Sequence, residues 1–302
     1  MSLPIPPPRT SGYTRTTAVP LYWCAYGPSA SERLLVLHGG PGAHHDYLLP
    51  QMLRLAERRE AVFYDQRGGG RSRTDGTTPV DWRAHVDDLA RVVDELALAP
   101  LSLVGYSWGG LLAMLYAIAA SDAVSPRPTV APSRLVLIDP ASVARRWRDE
   151  FEAEFARRSA SPEVRSMREE LAASGLRERD PDAYRQRAFE LSVAGYFADP
   201  REARDLTPFR VIGRVQRAVW DSLGDYDLVP ALGRVRVPAL VVHGRRDPIP
   251  LASSEAAARA LGARLVVLDR SGHVPYVEQP DALFAAIDDF LGATAPDAGD
   301  AR

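Results

Sequence analysis

Along the first half of the chain, short unbroken apolar runs alternate with longer stretches in which apolar residues recur every three or four positions. Leu34–Leu37, Ala61–Tyr64, Leu101–Val104 and Leu135–Ile138 are the apolar runs, each flanked within two residues by Gly, Pro or Asp. A strand with one wet face would alternate apolar and polar residues. Unbroken runs fit strands covered on both faces, as in a parallel sheet. The stretches between them predict helices at about 46–58, 81–97 and 108–120. The second opens on Asp81, a good N-cap residue, and carries Leu89, Val92, Val93 and Leu96 at helical spacing. Strands alternating with helices predict an α/β fold with right-handed crossovers.

The pattern changes at Pro140. From 141 to 232 the chain reads as helical, charged and strand-poor, with aromatics such as Trp147, Phe151, Phe155, Phe189 and Tyr196. Its 16 arginines face 17 acidic residues, so the paired arginines read as solvated helix faces rather than as a basic patch. Strand character returns at Ala239–Val242 and Arg264–Leu268, and a last helix over about 280–291 ends near Gly292. A chain of 302 residues is long enough for two domains or for one with an insertion. The order of elements favours the insertion. The expected organisation is an α/β core at 13–140 and 233–292, a helical cap at 141–232, and flexible termini at 1–12 and 293–302.

Composition narrows the chemistry. Thirty-seven basic residues against 39 acidic ones leave a net charge of -2, so nothing draws the chain to nucleic acid or anionic lipid. Every basic residue is arginine, which removes Schiff-base lysine chemistry and the phosphate-loop lysine. The single Cys24 removes an intrachain disulfide, a cysteine zinc cluster and a Cys-x-x-Cys redox site. Met1–Pro8 shows no basic region followed by an apolar run, so it does not read as a signal peptide. The most apolar stretch, Leu111–Ala120, is about half the roughly 20 residues that span a bilayer. The expectation is a cytoplasmic, soluble protein with no membrane partner; no pattern in the chain bears on its oligomeric state.

Gly105-Tyr106-Ser107-Trp108-Gly109 then stands out, because a strand precedes it and a helix follows. Small residues on either side permit the tight strand-to-helix turn that lifts a serine hydroxyl above a sheet. A hydroxyl is a poor nucleophile until a base takes its proton. Of the six histidines, His273 lies in a loop directly after the final strand, where it can reach back across the sheet. His85 falls in a helix, His243 ends an apolar strand and reads as buried, and His44 and His45 lack the spacing of a zinc helix. No metal is assigned. The base needs an acid, and Asp247, after the next-to-last strand, gives the chain order Ser107, Asp247, His273. Asp139, at the end of its own strand, is the second candidate for the acid, and Asp269 lies too near His273 in sequence. An oxyanion would be held by two backbone N–H groups, at Trp108 and in the loop His38-Gly39-Gly40-Pro41-Gly42. Gly40 is the candidate donor there, since Pro41 has no N–H. With no lysine and no Gly-Lys-Ser/Thr, the glycines do not read as a phosphate loop.

Together, His38–Gly42, Asp65-Gln66-Arg67-Gly68-Gly69-Gly70-Arg71-Ser72 and Gly105–Gly110 resemble the three core motifs of the proline iminopeptidases. These are serine-type prolyl aminopeptidases on the α/β-hydrolase fold, with a helical cap. The resemblance covers nearly the whole core, including Gly244–Asp247 and Gly272-His273. It implies Ser107, Asp247 and His273 as catalytic triad, Gly40 and Trp108 as oxyanion donors, no cofactor, and release of an N-terminal proline or other small residue from a peptide or amide. The cap departs from the pattern. Many of these enzymes hold the substrate amine with cap glutamates, one of them in Glu-x-x-Tyr-Phe; here Val193 stands at that place before Ala194-Gly195-Tyr196-Phe197. Pro248 stands where some relatives carry Glu. Glu190, Glu152 and Asp221 are the candidate substitutes. The same triad could instead act on uncharged esters, lactones or amides of small molecules, or the pocket could serve a non-catalytic receptor. The presence of all three triad residues counts against the receptor reading, and Ser107 in place of Asp against epoxide hydrolases and haloalkane dehalogenases.

Overall fold

A computed structural model describes residues 5–29, 32–121 and 128–292. Eight strands form one sheet: β1 (Thr10–Tyr13), β2 (Tyr22–Tyr26), β3 (Arg33–Leu37), β4 (Glu60–Tyr64), β5 (Leu101–Tyr106), β6 (Pro132–Ile138), β7 (Ala239–Gly244) and β8 (Arg264–Leu268). Their spatial order is β1-β2-β4-β3-β5-β6-β7-β8. β1 and β2 are antiparallel to their neighbours, and every pairing from β4 through β8 is parallel. Within the parallel strands successive side chains enter different layers. Leu35, Leu37, Leu103, Leu135, Leu137 and Val241 join one apolar cluster; Leu34, Val36, Val104, Val136, Leu240 and Val242 join the other. Both faces are covered, which is why these runs contain so few polar residues.

Two helices precede β6: α1 (Trp82–Glu95) and α2 (Trp108–Ser121). Asp81 caps α1 by accepting the Ala84 N–H at 2.8 Å. The expected helix at 46–58 is replaced by two 3-10 turns, His45–Leu48 and Gln51–Ala56. They part around Pro50, which has no N–H to continue a helical ladder. The flexible terminus expected at 1–12 also needs correction, because Thr10–Gly12 pair with Cys24 and its neighbours in β2. Residues 1–4 and 293–302 lie outside the described residues.

Between β6 and β7 the regular elements are helices: α3 (Arg145–Ser159), α4 (Pro162–Ala173), α5 (Leu176–Arg179), α6 (Pro181–Val193), α7 (Gly213–Leu223) and α8 (Val229–Leu232), with two 3-10 turns after α6. Ser161 and Asp180 cap α4 and α6, each followed by proline at the first helical position, where its missing N–H costs nothing. α9 (Leu251–Leu261) follows β7, and α10 (Pro275–Glu278) and α11 (Pro280–Gly292) follow β8. Among the described residues no helix is long and apolar enough to cross a membrane. The loops after β3, β5, β6, β7 and β8 leave the sheet at the carboxyl ends of its parallel strands, where ligands bind in open α/β sheets.

Candidate active site

The turn from β5 to α2 places Ser107 in a left-handed conformation, φ +54°. For a non-glycine residue that costs of order 1–3 kcal/mol and persists only where the surroundings hold it. Here they do. The Ser107 N–H donates to the Ile138 carbonyl at 3.0 Å, and its carbonyl accepts from Ala141 and Gly110, both at 2.9 Å. The glycines of the pentapeptide have a steric reason as well. A Cβ on Gly105 would collide with the Gly109 carbonyl, and one on Gly109 with the Leu37 carbonyl.

His273 lies across from this turn. Its Nε2 is 3.0 Å from the Ser107 hydroxyl, and its Nδ1–H donates to Asp247 Oδ2 at 2.7 Å. The other Asp247 oxygen accepts the Ile249 N–H at 2.7 Å. The three residues expected from the sequence are therefore within hydrogen-bond reach of one another. Asp139, the second candidate for the acid, is fully buried beside Asp247, but its Oδ1 accepts the Gly244 N–H at 2.7 Å. The imidazole Nδ1 is held by Asp247. Burial draws both partners toward their neutral forms: it lowers His273 to about 4 and raises Asp247 to about 8, even though the Ile249 N–H favours the Asp247 carboxylate. The ring is packed as well as bonded, with Tyr196 stacked on it at 5.1 Å and Tyr106 at 5.3 Å.

The loop after β3 brings Gly39 against Ser107 and places Gly40 in the wall of the same cavity. The Gly39 N–H donates to the Tyr47 hydroxyl at 2.8 Å, whereas the Gly40 N–H has no protein acceptor among the described residues. Trp108 opens α2, where the first N–H groups lack intrahelical partners. Its indole N–H donates to Gln66 Oε1 at 2.7 Å, and the Gln66 side-chain amide donates to the His38 carbonyl at 2.8 Å. Gln66 thus ties the two candidate oxyanion segments together. The next residue, Arg67, forms a bidentate buried pair with Asp88 of α1, at 2.5 and 2.6 Å.

Glu278 has a position that no local pattern announces. One carboxylate oxygen accepts the N–H groups of Gly272 (2.9 Å) and Val274 (3.1 Å), on either side of His273. The other accepts the Ala198 N–H of the cap at 2.7 Å. The His273 N–H itself donates to the Tyr196 carbonyl at 2.7 Å. The remaining histidines have other partners. His243 is fully buried and bonded to Ser254 and the Ile249 carbonyl, as expected of a core histidine. His85 packs edge-on against Trp108. His45 donates to Asp65 at 2.7 Å and also meets the Cys24 thiol at 3.2 Å.

Above Ser107 and His273 lies a cavity of about 590 Å³, with Phe151, Phe155, Phe189, Tyr196 and Trp220 among its walls. Val193, which stands where a carboxylate was sought, lines it as well. Its charged residues are Arg148, Glu152, Arg217 and Asp221. Arg148 lies over the Trp220 ring at 3.8 Å and pairs with Glu152 at 2.5 Å. Glu190 does not line the cavity; it is turned to Arg187 and Gln186 at 2.7 and 3.2 Å.

A parallel sheet, a serine on a strained strand-to-helix turn and a buried imidazole–carboxylate pair define the α/β class of hydrolases. The chain belongs to the alpha/beta hydrolase family, whose model matches residues 34–287, and it is an enzyme, a serine hydrolase. It is similar to the proline iminopeptidase of Lactobacillus crispatus (strain ST1), 26% identical over 275 residues that cover 84% of this chain and 87% of the relative. The proline iminopeptidase of Saccharolobus solfataricus is 27% identical over 306 residues, covering 93% and 91%. The crystal structure of a proline iminopeptidase from Mycobacterium smegmatis superposes with a TM-score of 0.67 at 21% identity, over 94% of this chain and 98% of that one.

Proposed function

We propose that the protein releases an N-terminal proline or other small residue from a peptide or amide through an acyl-enzyme. The observation that carries this reading is the pair of hydrogen bonds at 3.0 and 2.7 Å that joins Ser107 to His273 and His273 to Asp247 at the floor of the cavity. Ser107 Oγ attacks the substrate carbonyl carbon while its proton passes to His273 Nε2, and Asp247 steadies the imidazolium. The carbonyl oxygen gains the negative charge in the space offered by the N–H groups of Gly40 and Trp108. Collapse of the tetrahedral adduct breaks the C–N bond, and the leaving nitrogen takes the proton from Nε2. Water then repeats the sequence on the acyl-serine. No step calls for a cofactor, and the cytoplasmic location expected from the sequence belongs to the same reading.

The substrate's ammonium needs a carboxylate, since an unpaired charge in a dry pocket is costly. Glu152 is already paired with Arg148, and Glu190 faces away, which leaves Asp221 on the cavity wall. A second reading has an observation of its own. Val193 makes part of the wall apolar, which suits the acyl group of an uncharged ester, lactone or amide.

The two are separated by initial rates on proline β-naphthylamide and p-nitrophenyl butyrate, with Ser107→Ala as control. The expected result is strong turnover of the proline amide, abolished by Ser107→Ala, with Asp221→Asn raising KM for the amide and not for the ester. Ester turnover alone would replace the first reading by the second. Equal rates from wild type and Ser107→Ala would remove the nucleophile from both.

A further inference from the structure

Asp139 and Asp247 follow neighbouring parallel strands, β6 and β7, and their carboxyl groups meet in the buried space behind His273. We propose that Asp139 is a neutral carboxylic acid whose Oδ2–H donates to Asp247, making it a positioning residue for the carboxylate that orients His273. The proposal deepens the hydrolase reading above and rests on its choice of Asp247 as the acid.

The argument begins with the donors available to each carboxyl group. One atom each of Asp139, His243 and Asp247 lies within 4.8 Å of the others. Asp247 receives the Ile249 N–H on one oxygen and the His273 Nδ1–H on the other, both at 2.7 Å. Among the described residues, Asp139 receives only the Gly244 N–H, on Oδ1, and no N–H or O–H reaches its buried Oδ2. His243 does not supply one. Its Nε2–H donates to the Ile249 carbonyl at 3.2 Å, so Nδ1 is the acceptor of the Ser254 hydroxyl at 2.9 Å. The nitrogen that lies 3.5 Å from Asp139 Oδ1 therefore presents a lone pair. Burial holds this imidazole neutral, lowering it to about 3.

An ionised Asp139 would thus face a carboxylate and a lone pair with no cation between them. Two like charges in one dry site do not both persist; one group keeps the proton. Donor count assigns the charge to Asp247 and the proton to Asp139 Oδ2, where it bridges the two groups. Burial and the neighbouring Asp247 charge push Asp139 well above the ordinary carboxylate range, in the same direction. The backbone supports the pose. Asp139 has φ +40°, a left-handed conformation at the end of a strand, and its N–H is held by the Val242 carbonyl at 2.8 Å. The bridge fixes the Asp247 carboxylate against rotation. It also draws electron density from it, so the imidazolium formed during attack gives up its proton more readily.

Other titratable groups face the pair: His243 on β7, His273 in its loop, Glu278 on α10, Arg158 on α3, and the phenols of Tyr106, Tyr196 and Tyr276. All are common to the variants compared here, so differences between variants report on Asp139. Asp139→Asn keeps the pattern, with an oxygen for Gly244 N–H and an N–H for Asp247, but it has no proton to titrate. Asp139→Ala removes the donor. The infrared difference between wild type and Asp139→Asn at neutral pH is expected to contain the C=O stretch of a protonated carboxyl group. Loss of carboxylate stretches in Asp139→Asn, with no protonated C=O band in the difference, would overturn the proposal. In kinetics, losing a hydrogen bond to a charged group predicts that Asp139→Ala lowers kcat about tenfold. The acid limb of its kcat/KM profile should move to higher pH, and Asp139→Asn should recover most of both effects. A loss in Asp139→Asn as large as that of Asp247→Asn, with the limb moved to lower pH, would show Asp139 ionised and overturn the assignment. If Asp139→Ala does not fold, the infrared comparison and Asp139→Asn still decide. If wild type hydrolyses no acyl substrate, the functional reading fails while the spectrum still reports the Asp139 proton.

Discussion

At the scale of single residues, burial and hydrogen bonding oppose each other around one imidazole, that of His273. Burial lowers His273 from the ordinary 6.5 to about 4, so it is neutral and able to accept a proton over a wider range than a solvated histidine. Only when pH falls through that value does the ring become charged and unable to take the Ser107 proton. The acid limb of kcat/KM is therefore expected well below 6.5, as a profile from about pH 4 to 8 on a neutral ester would record. A limb near 6.5 would mean that the Asp247 charge offsets burial at the His273 ring. The meeting of Ser107, Asp247 and His273 was legible in the sequence because each stands just beyond a strand. Gln66 and Glu278 were not. Their work is to accept from the Trp108 indole N–H and from the backbone N–H groups of Gly272 and Ala198, and to donate to the His38 carbonyl, groups that converge only once the sheet has formed.

At the scale of elements, the Arg67–Asp88 pair joins the loop after β4 to α1. Both side chains are almost wholly buried, and a third guanidinium nitrogen donates to the Pro79 carbonyl at 2.8 Å. Removing one partner strands the other without solvent. Asp88→Ala is expected to destabilise the fold by about 3–5 kcal/mol, read from urea denaturation followed by circular dichroism. Arg67→Lys should also destabilise it, because an ammonium lacks the fork that meets both carboxylate oxygens. A change within experimental scatter in both variants would mean the loop is held by its glycines alone. The buried strands were legible as elements because covering both faces leaves an unbroken apolar signature. β1 and β2 were not, since Thr10–Tyr13 is a largely exposed edge and Tyr22–Tyr26 mixes aromatics with small residues. The stretch at 46–58 had helical periodicity, but Pro50 interrupts it.

For the whole molecule, stability as a function of pH follows in part from a buried cluster around His45 and Asp65. Burial opposes a charge on His45, but the Asp65 and Cys24 hydrogen bonds outweigh it and raise the ring to about 10. A group raised on folding contributes fully below its ordinary 6.5 and loses that contribution as pH rises to about 10. Its partner Asp65 is held below the usual carboxylate range, because the His45 and Arg71 hydrogen bonds overcome burial. Its contribution is therefore lost as pH falls. The denaturation midpoint is expected to be highest near neutrality and to fall on the alkaline side, with a flatter alkaline branch in His45→Gln. An equally steep branch in that variant would place the alkaline loss elsewhere. The hydrogen bonds between Tyr196, Ala198, Glu278 and the backbone flanking His273 have a consequence of a different kind. The cap is not an interchangeable module. Replacing residues 141–232 with a relative's segment would alter the pocket and also remove the anchors that hold the His273 loop. An exchange that leaves 194–198 in place should therefore be tolerated far better than one that removes it.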